Sequence, residues 1–211
     1  MVVESTLNAE MNNSESKSSF VLHSAGNKIS KISPDNWRGL ENSLQKLRLG
    51  RNAIDKLPAD AFAGLTYLDM LDLRENNLKE IDPSVFRDGM AHLIYLYLNG
   101  NQLTHIPYAQ LSSLKRMKLL DLSYNRISKM LNPQQEPEIR GLQMSLDILR
   151  LDYNQIETLM SGDFQHFYKV NRTHLDGNPL TMIEVRFPRY FATMDRNWRF
   201  LSLEKVQRFD E

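Results

Sequence analysis

The side chains best suited to chemistry in this sequence are one pair of aspartates and a scatter of histidines. Asp152 and Asp176 lie 24 residues apart in matching surroundings, Arg150-Leu151-Asp152-Tyr153-Asn154 and His174-Leu175-Asp176-Gly177-Asn178. Carboxylates held about 5 Å apart have the spacing of a retaining glycosidase pair. Such a pair also needs a pocket that keeps one carboxyl protonated, and Arg150 and Arg172 stand near enough to neutralise both. No catalytic residue is assigned, and the chain is expected not to be an enzyme. Of the 5 histidines, His23 and His174 occupy equivalent places far apart, while His92, His105 and His166 have no partners at ligand spacing. No metal site is expected. The glycine-rich phosphate loops and the nucleophile-elbow motif are absent from the sequence, so no cofactor is expected.

A repeat positions these residues. Leu44, Leu47, Leu49, Asn52, Ile54 and Leu57 spell LxxLxLxxNxIxxL, and the frame returns around Asn76, Asn101, Asn125 and Asn154. Weaker copies surround Asn27, with Ser24 in a leucine place, and Asn178, with Thr173 in another. The asparagines are Asn27, Asn52, Asn76, Asn101, Asn125, Asn154 and Asn178, in steps of 25, 24, 25, 24, 29 and 24 residues. A long apolar side chain follows ten residues after most of them: Trp37, Phe62, Phe86, Leu111 and Phe164.

The LxL alternation gives a short strand with one buried face, and equivalent strands pair in parallel about 4.8 Å apart. The chain then turns inward, carrying backbone donors and acceptors that an asparagine amide can satisfy. Gly26, Gly100 and Gly177 directly precede asparagines, as a tight turn favours. Pro34, Pro58, Pro83 and Pro107 fall beyond the strands, where they remove no ladder hydrogen bond. One repeat cannot bury its apolar face alone, so the core exists only in the stack. The expected fold is an α/β repeat: a leucine-rich-repeat solenoid, a curved right-handed coil with a parallel β-sheet on the concave face and short helical or irregular turns on the convex one. The 29-residue step holds LNPQQEPEIRGLQM, Leu131 to Met144, expected to be a surface loop. Residues 1–19, polar and rich in Ser and Asn, are expected to be disordered; residues 20–184 form the repeat domain of about seven repeats, and 185–211 a non-repeat tail.

In this frame the concave face presents a central column of His23, Arg48, Asp72, Tyr97, Asp121, Arg150 and His174. The next column holds Ala25, Gly50, Arg74, Asn99, Ser123, Asp152 and Asp176, extended by Arg51, Glu75, Tyr124 and Tyr153. Tyrosines among mixed charges have the composition of protein-binding hot spots. The binding candidates are Arg48, Asp72, Arg74, Tyr95, Tyr97, Asp121, Tyr124, Arg150, Tyr153 and His174. The 26 basic and 26 acidic residues balance, which removes the long-range attraction a nucleic-acid binder needs. No apolar run is long enough to insert in a membrane. With no cysteine, composition leaves the compartment open. Sequons occur at Asn12 and Asn171.

Off the repeat frame, Ile81-Asp82-Pro83-Ser84-Val85-Phe86-Arg87-Asp88-Gly89-Met90, Ile106-Pro107-Tyr108 and Val170 to Leu180 resemble consecutive segments of the chaoptin family, as does the long repeat between Asn125 and Asn154. The resemblance covers about Phe20 to Glu184. It implies a lipid (GPI)-anchored extracellular glycoprotein of many leucine-rich repeats. The implied role is cell–cell adhesion through protein contacts, including contacts with itself on an apposed cell. Asn171 matches a family sequon and is the glycosylation candidate. The chain departs from the family in carrying no signal peptide, cysteine caps or anchor signal, and fewer repeats. The alternatives are a receptor-type ectodomain that binds a ligand and an intracellular scaffold.

Overall fold

The computed structural model describes residues 8–12, 19–86, 90–130, 146–160, 163–164, 167, 170–183 and 207–208. Seven strands stack in parallel: β2 (Ser19–His23), β3 (Leu44–Arg48), β4 (Met70–Asp72), β5 (Tyr95–Tyr97), β6 (Leu119–Asp121), β7 (Ile148–Arg150) and β9 (Arg172–His174). The fold is a leucine-rich-repeat solenoid, as its periodicity predicts. Leu22, Leu47, Leu71, Leu96, Leu120, Leu149 and Thr173 face one another across the sheet. The five leucines from Leu47 to Leu149 are completely buried. Period-two alternation forces this result, because a one-residue slip would turn every leucine outward.

The asparagine ladder follows the same geometry. The Asn101 amide donates to Leu73 O and Leu98 O, both at 3.0 Å, while its Oδ1 accepts the Leu78 N–H at 3.0 Å. Asn76, Asn125, Asn154 and Asn178 repeat the pattern, each joining its own rung to the preceding one. Asn52 does the same toward Ser24 O and the Ile29 N–H. Asn27 differs: it is exposed, and its amide reaches only Ser24 Oγ and Ala25 O, both at 3.4 Å.

On the convex side, short turns carry the aromatic residues inward. The 3-10 turn Pro34–Trp37 seats Trp37, whose ring stacks on Phe62 at 6.3 Å; Phe62 stacks on Phe86 at 6.4 Å. The helical turn Tyr108–Leu111 buries Tyr108, whose hydroxyl donates to Met130 O. A second sheet of β8 (Thr158–Leu159), β10 (Met182–Ile183) and β11 (Gln207–Arg208) pairs in parallel.

Within residues 1–19, Asn8–Asn12 forms β1, antiparallel to β2. The open edge of β2 offers unpaired backbone groups, and main-chain pairing tolerates a polar sequence that could never build a core. Gln207–Arg208 likewise adds an edge strand from the tail. The loop expected over 131–144 lies outside the described residues.

Asn101→Ala should lower stability by about 2–4 kcal/mol, because it orphans buried groups on two rungs. Asn27→Ala should cost less than about 1 kcal/mol, since water reaches what its amide satisfies. Urea unfolding of both variants tests the difference, and equal losses would refute the ladder as a stabilising device.

Candidate binding face

The register places Arg48, Asp72, Tyr97, Asp121, Arg150 and His174 side by side on successive rungs. The ladder continues past the strands: Arg51 N donates to Arg74 O, Glu75 N to Asn99 O, Tyr124 N to Asp152 O and Tyr153 N to Asp176 O. The face is therefore three adjoining columns. Toward its C-terminal rungs it hollows into a concavity of about 530 Å³.

Seven of the ten binding candidates line that concavity: Arg74, Tyr97, Asp121, Tyr124, Arg150, Tyr153 and His174. Three do not. Arg48 stands on an earlier rung, Tyr95 is exposed at the start of its strand, and Asp72 is buried beneath Arg74. Asn99, Ser123, Asp152 and Asp176 complete the lining. They occupy the second column, so the repeat frame locates them. Their side chains are short, however, and residue type alone marks them as solubilising.

Arg74 donates to both carboxylate oxygens of Asp72, from Nε to each at 2.9 Å and from Nη2 to Oδ2 at 2.6 Å. Its guanidinium lies 5.4 Å from the centre of the Tyr97 ring. Hydrogen bonding to Asp72, more than any other influence, holds Arg74 above its ordinary pKa, and burial does the same for the Tyr97 phenol. Gly50 makes room for this pair: a Cβ there would meet Arg74 Cγ at 3.0 Å and Asp72 Oδ1 at 3.2 Å.

The C-terminal rungs are less completely paired. Asp121 accepts from the Ser123 hydroxyl at 2.6 Å and its N–H at 3.0 Å. Arg150 lies between two buried carboxylates, 3.8 Å from Asp121 and 3.6 Å from Asp152. Burial pushes the Asp152 carboxyl above its usual range, against the lowering influence of His174, the Asp176 N–H and Arg150. Asp152, His174 and Asp176 bring ligand atoms within 4.8 Å of one another. The aspartates paired by spacing in the sequence thus meet in space, together with a histidine that the sequence leaves alone. Arg150 answers Asp152, whereas Arg172 joins no ion pair among the described residues. Partly neutralised carboxylates on an accessible face are a candidate for electrostatic recognition.

A rim borders this hollow. The residue before each asparagine takes a left-handed backbone: Gly26, Gly100 and Gly177 do so, and so do Arg51, Glu75, Tyr124 and Tyr153 at φ between 51° and 55°. Arg51 pairs with Glu75 at 3.2 Å. The rings of Tyr124 and Tyr153 stack at 4.5 Å.

Asp152 yields a pH prediction. Its folded pKa lies above the ordinary 3.8, so as pH rises through that window the unfolded chain loses its proton first and stability falls. Asp152→Asn removes the charge and keeps an oxygen for the Asp176 N–H. The variant should unfold at a higher temperature than the parent at neutral pH, and the gain should vanish once pH drops below 3.8. Thermal melts across pH test this, and a destabilised variant at neutral pH counts against it.

Comparison with known proteins agrees with this architecture. The family model described as leucine rich repeat matches residues 42–88 and 68–127. Lumican from Coturnix japonica is 31% identical over 180 residues, covering 78% of this chain and 49% of its own length. Keratocan from Danio rerio is 26% identical over 162 residues, covering 59% and 47%. The chain thus spans about half the length of the curated relatives it matches. Among solved structures, the TLR13–ssRNA13 complex superposes with a TM-score of 0.66 at 24% identity, over 86% of this chain and 23% of that one. The repeat shared with these proteins, the single parallel sheet and the asparagine ladder identify this chain as a leucine-rich-repeat solenoid.

Proposed function

We propose that this chain is a protein-binding module of an extracellular, chaoptin-type adhesion protein, engaging its partner through the concave face between Arg74 and Asp176. The observation that carries the reading is the exposed aromatic rim over partly paired carboxylates. Tyr124 and Tyr153 are 57% and 52% exposed, and tyrosines of this kind supply rigid contact area beside adaptable charges. Kinship with lumican and keratocan supports a binding role over catalysis. The cell-surface placement, the lipid anchor and contact with a second copy on an apposed cell rest on the chaoptin resemblance. Three carboxylates among the lining residues disfavour a phosphate backbone, although the neighbouring TLR13 solenoid is seen with RNA.

Asn171 is proposed to carry a glycan. Its side chain is exposed, with Nδ2 2.6 Å from Asp147 Oδ1 at the entry to β9.

Beads coated with the protein should cluster. Reversing the charge at Arg150 (Arg150→Glu) should reduce clustering by roughly tenfold, as expected for a desolvated charge at the centre of a contact. Unchanged clustering would sink the concave-face reading. Chain secreted from eukaryotic cells behind a supplied leader should lose mass on glycosidase treatment, and Asn171→Gln should abolish that loss.

A further inference from the structure

The tyrosine rim is held in place against backbone preference. Tyr124 and Tyr153 sit at φ 54° and 53°, a conformation that disfavours any side chain other than glycine. Glycine takes the equivalent place on three other rungs. The two rings nonetheless stack with 12° between their planes. The next rung supplies Gly177, where even a Cβ would come within 2.5 Å of Tyr153 Cδ1. Strain of this kind concentrates at sites that use it, and Gly177 leaves the space the Tyr153 ring fills.

Beside the rings stand Asp152, 7% exposed, and Asp176, exposed and without a hydrogen bond or ion pair to its carboxylate among the described residues. Arg74 is committed to Asp72 by two short bonds. Arg150 is then the one unspent arginine of the lining, 3.6 Å or more from Asp121 and Asp152, while His174 stands by Asp152 and Asp176. The hollow therefore holds surplus negative charge under a partly open aromatic surface.

We propose that the slot between the Tyr124–Tyr153 stack and the Asp152–Asp176 carboxylates receives an arginine side chain from the partner protein. This rests on the reading of the concave face as a protein-binding surface and names what that surface recognises. A guanidinium is flat enough to lie on a tyrosine ring while its N–H groups fork to a carboxylate. An ammonium offers a compact point charge and loses the stacking. The face already shows the same chemistry internally, where Arg74 lies over Tyr97 and forks to Asp72. A metal ion would meet the same carboxylates, but it has no planar face to lie on the tyrosine rings.

The test titrates the full chain with a short oligo-arginine peptide, followed by tyrosine fluorescence. Oligo-arginine should bind several-fold more tightly than oligo-lysine. Asp176→Asn should weaken the arginine peptide by about tenfold, whereas Asp55→Asn, the same charge change on an exposed residue outside the hollow, should leave it within about twofold. Tyr153→Gly keeps a backbone at ease at this φ and should erase the preference for arginine over lysine. Equal losses in Asp176→Asn and Asp55→Asn overturn the slot, as does tighter binding there by a zinc ion or a neutral oligosaccharide. Bead clustering of the same variants separates the two readings. Clustering that survives loss of the arginine site overturns the concave face as the adhesive surface. Clustering lost while Asp176→Asn still binds the peptide normally overturns the slot.

Discussion

A coil that turns inward every two dozen residues must carry peptide groups into an apolar interior, and this molecule depends on how those groups are satisfied. Each buried asparagine offers two N–H donors and one oxygen, and each uses the donors on carbonyls of two rungs and the oxygen on the N–H of the rung before. An aspartate has no donors to give, a glutamine is longer by a methylene, and a leucine would leave three backbone groups orphaned. The constraint explains why the asparagine is the least variable place in the frame while leucine places admit methionine, serine and threonine. It also explains why stability is shared: a rung's polar groups are complete only when its neighbour is folded.

The fold was legible because its determinants are periodic. Steps of 24 or 25 residues fix which side chains share a column, and the β-pleat fixes which of them face the core. Leu47 to Leu149 and the Arg48-to-His174 column could therefore be aligned without coordinates. The period says nothing of rotamers. It could not show that Arg74 spends its charge on Asp72 rather than on a partner, or that Arg150 lies between two carboxylates. Nor could it show that β2 gains β1, because an edge strand recruits backbone, and backbone pairing leaves little trace in side-chain pattern. Thr173 marks the limit from the other side. It takes a leucine's place, its Oγ1 is buried without a hydrogen-bond partner among the described residues, and the register holds there nonetheless.

The two halves of the concave face use their charges differently. On the earlier rungs, Arg74 closes on Asp72 and Arg51 meets Glu75, so cations and anions are largely spent within the face. On the later rungs, Arg150 is loosely held between Asp121 and Asp152, Asp176 has no ion pair among the described residues, and the column before the asparagines changes from charged residues to tyrosines. Complementary charge within a face keeps it soluble; charge left unpaired beside exposed aromatic surface is more informative, since it costs solvation without repaying it internally.

The backbone points to the same rungs. Every residue before a ladder asparagine is left-handed, because the turn into the interior demands it whatever the side chain. Glycine meets that demand freely, so each non-glycine residue there records a contribution from its side chain. At Arg51 and Glu75 the contribution is a mutual ion pair between exposed groups, worth little. At Tyr124 and Tyr153 it is a stack whose rings remain more than half exposed, so burial explains little of it. Strained backbone, exposed rings and incompletely paired carboxylates thus coincide on the fifth and sixth asparagine turns, which is why the proposed partner contact is centred there.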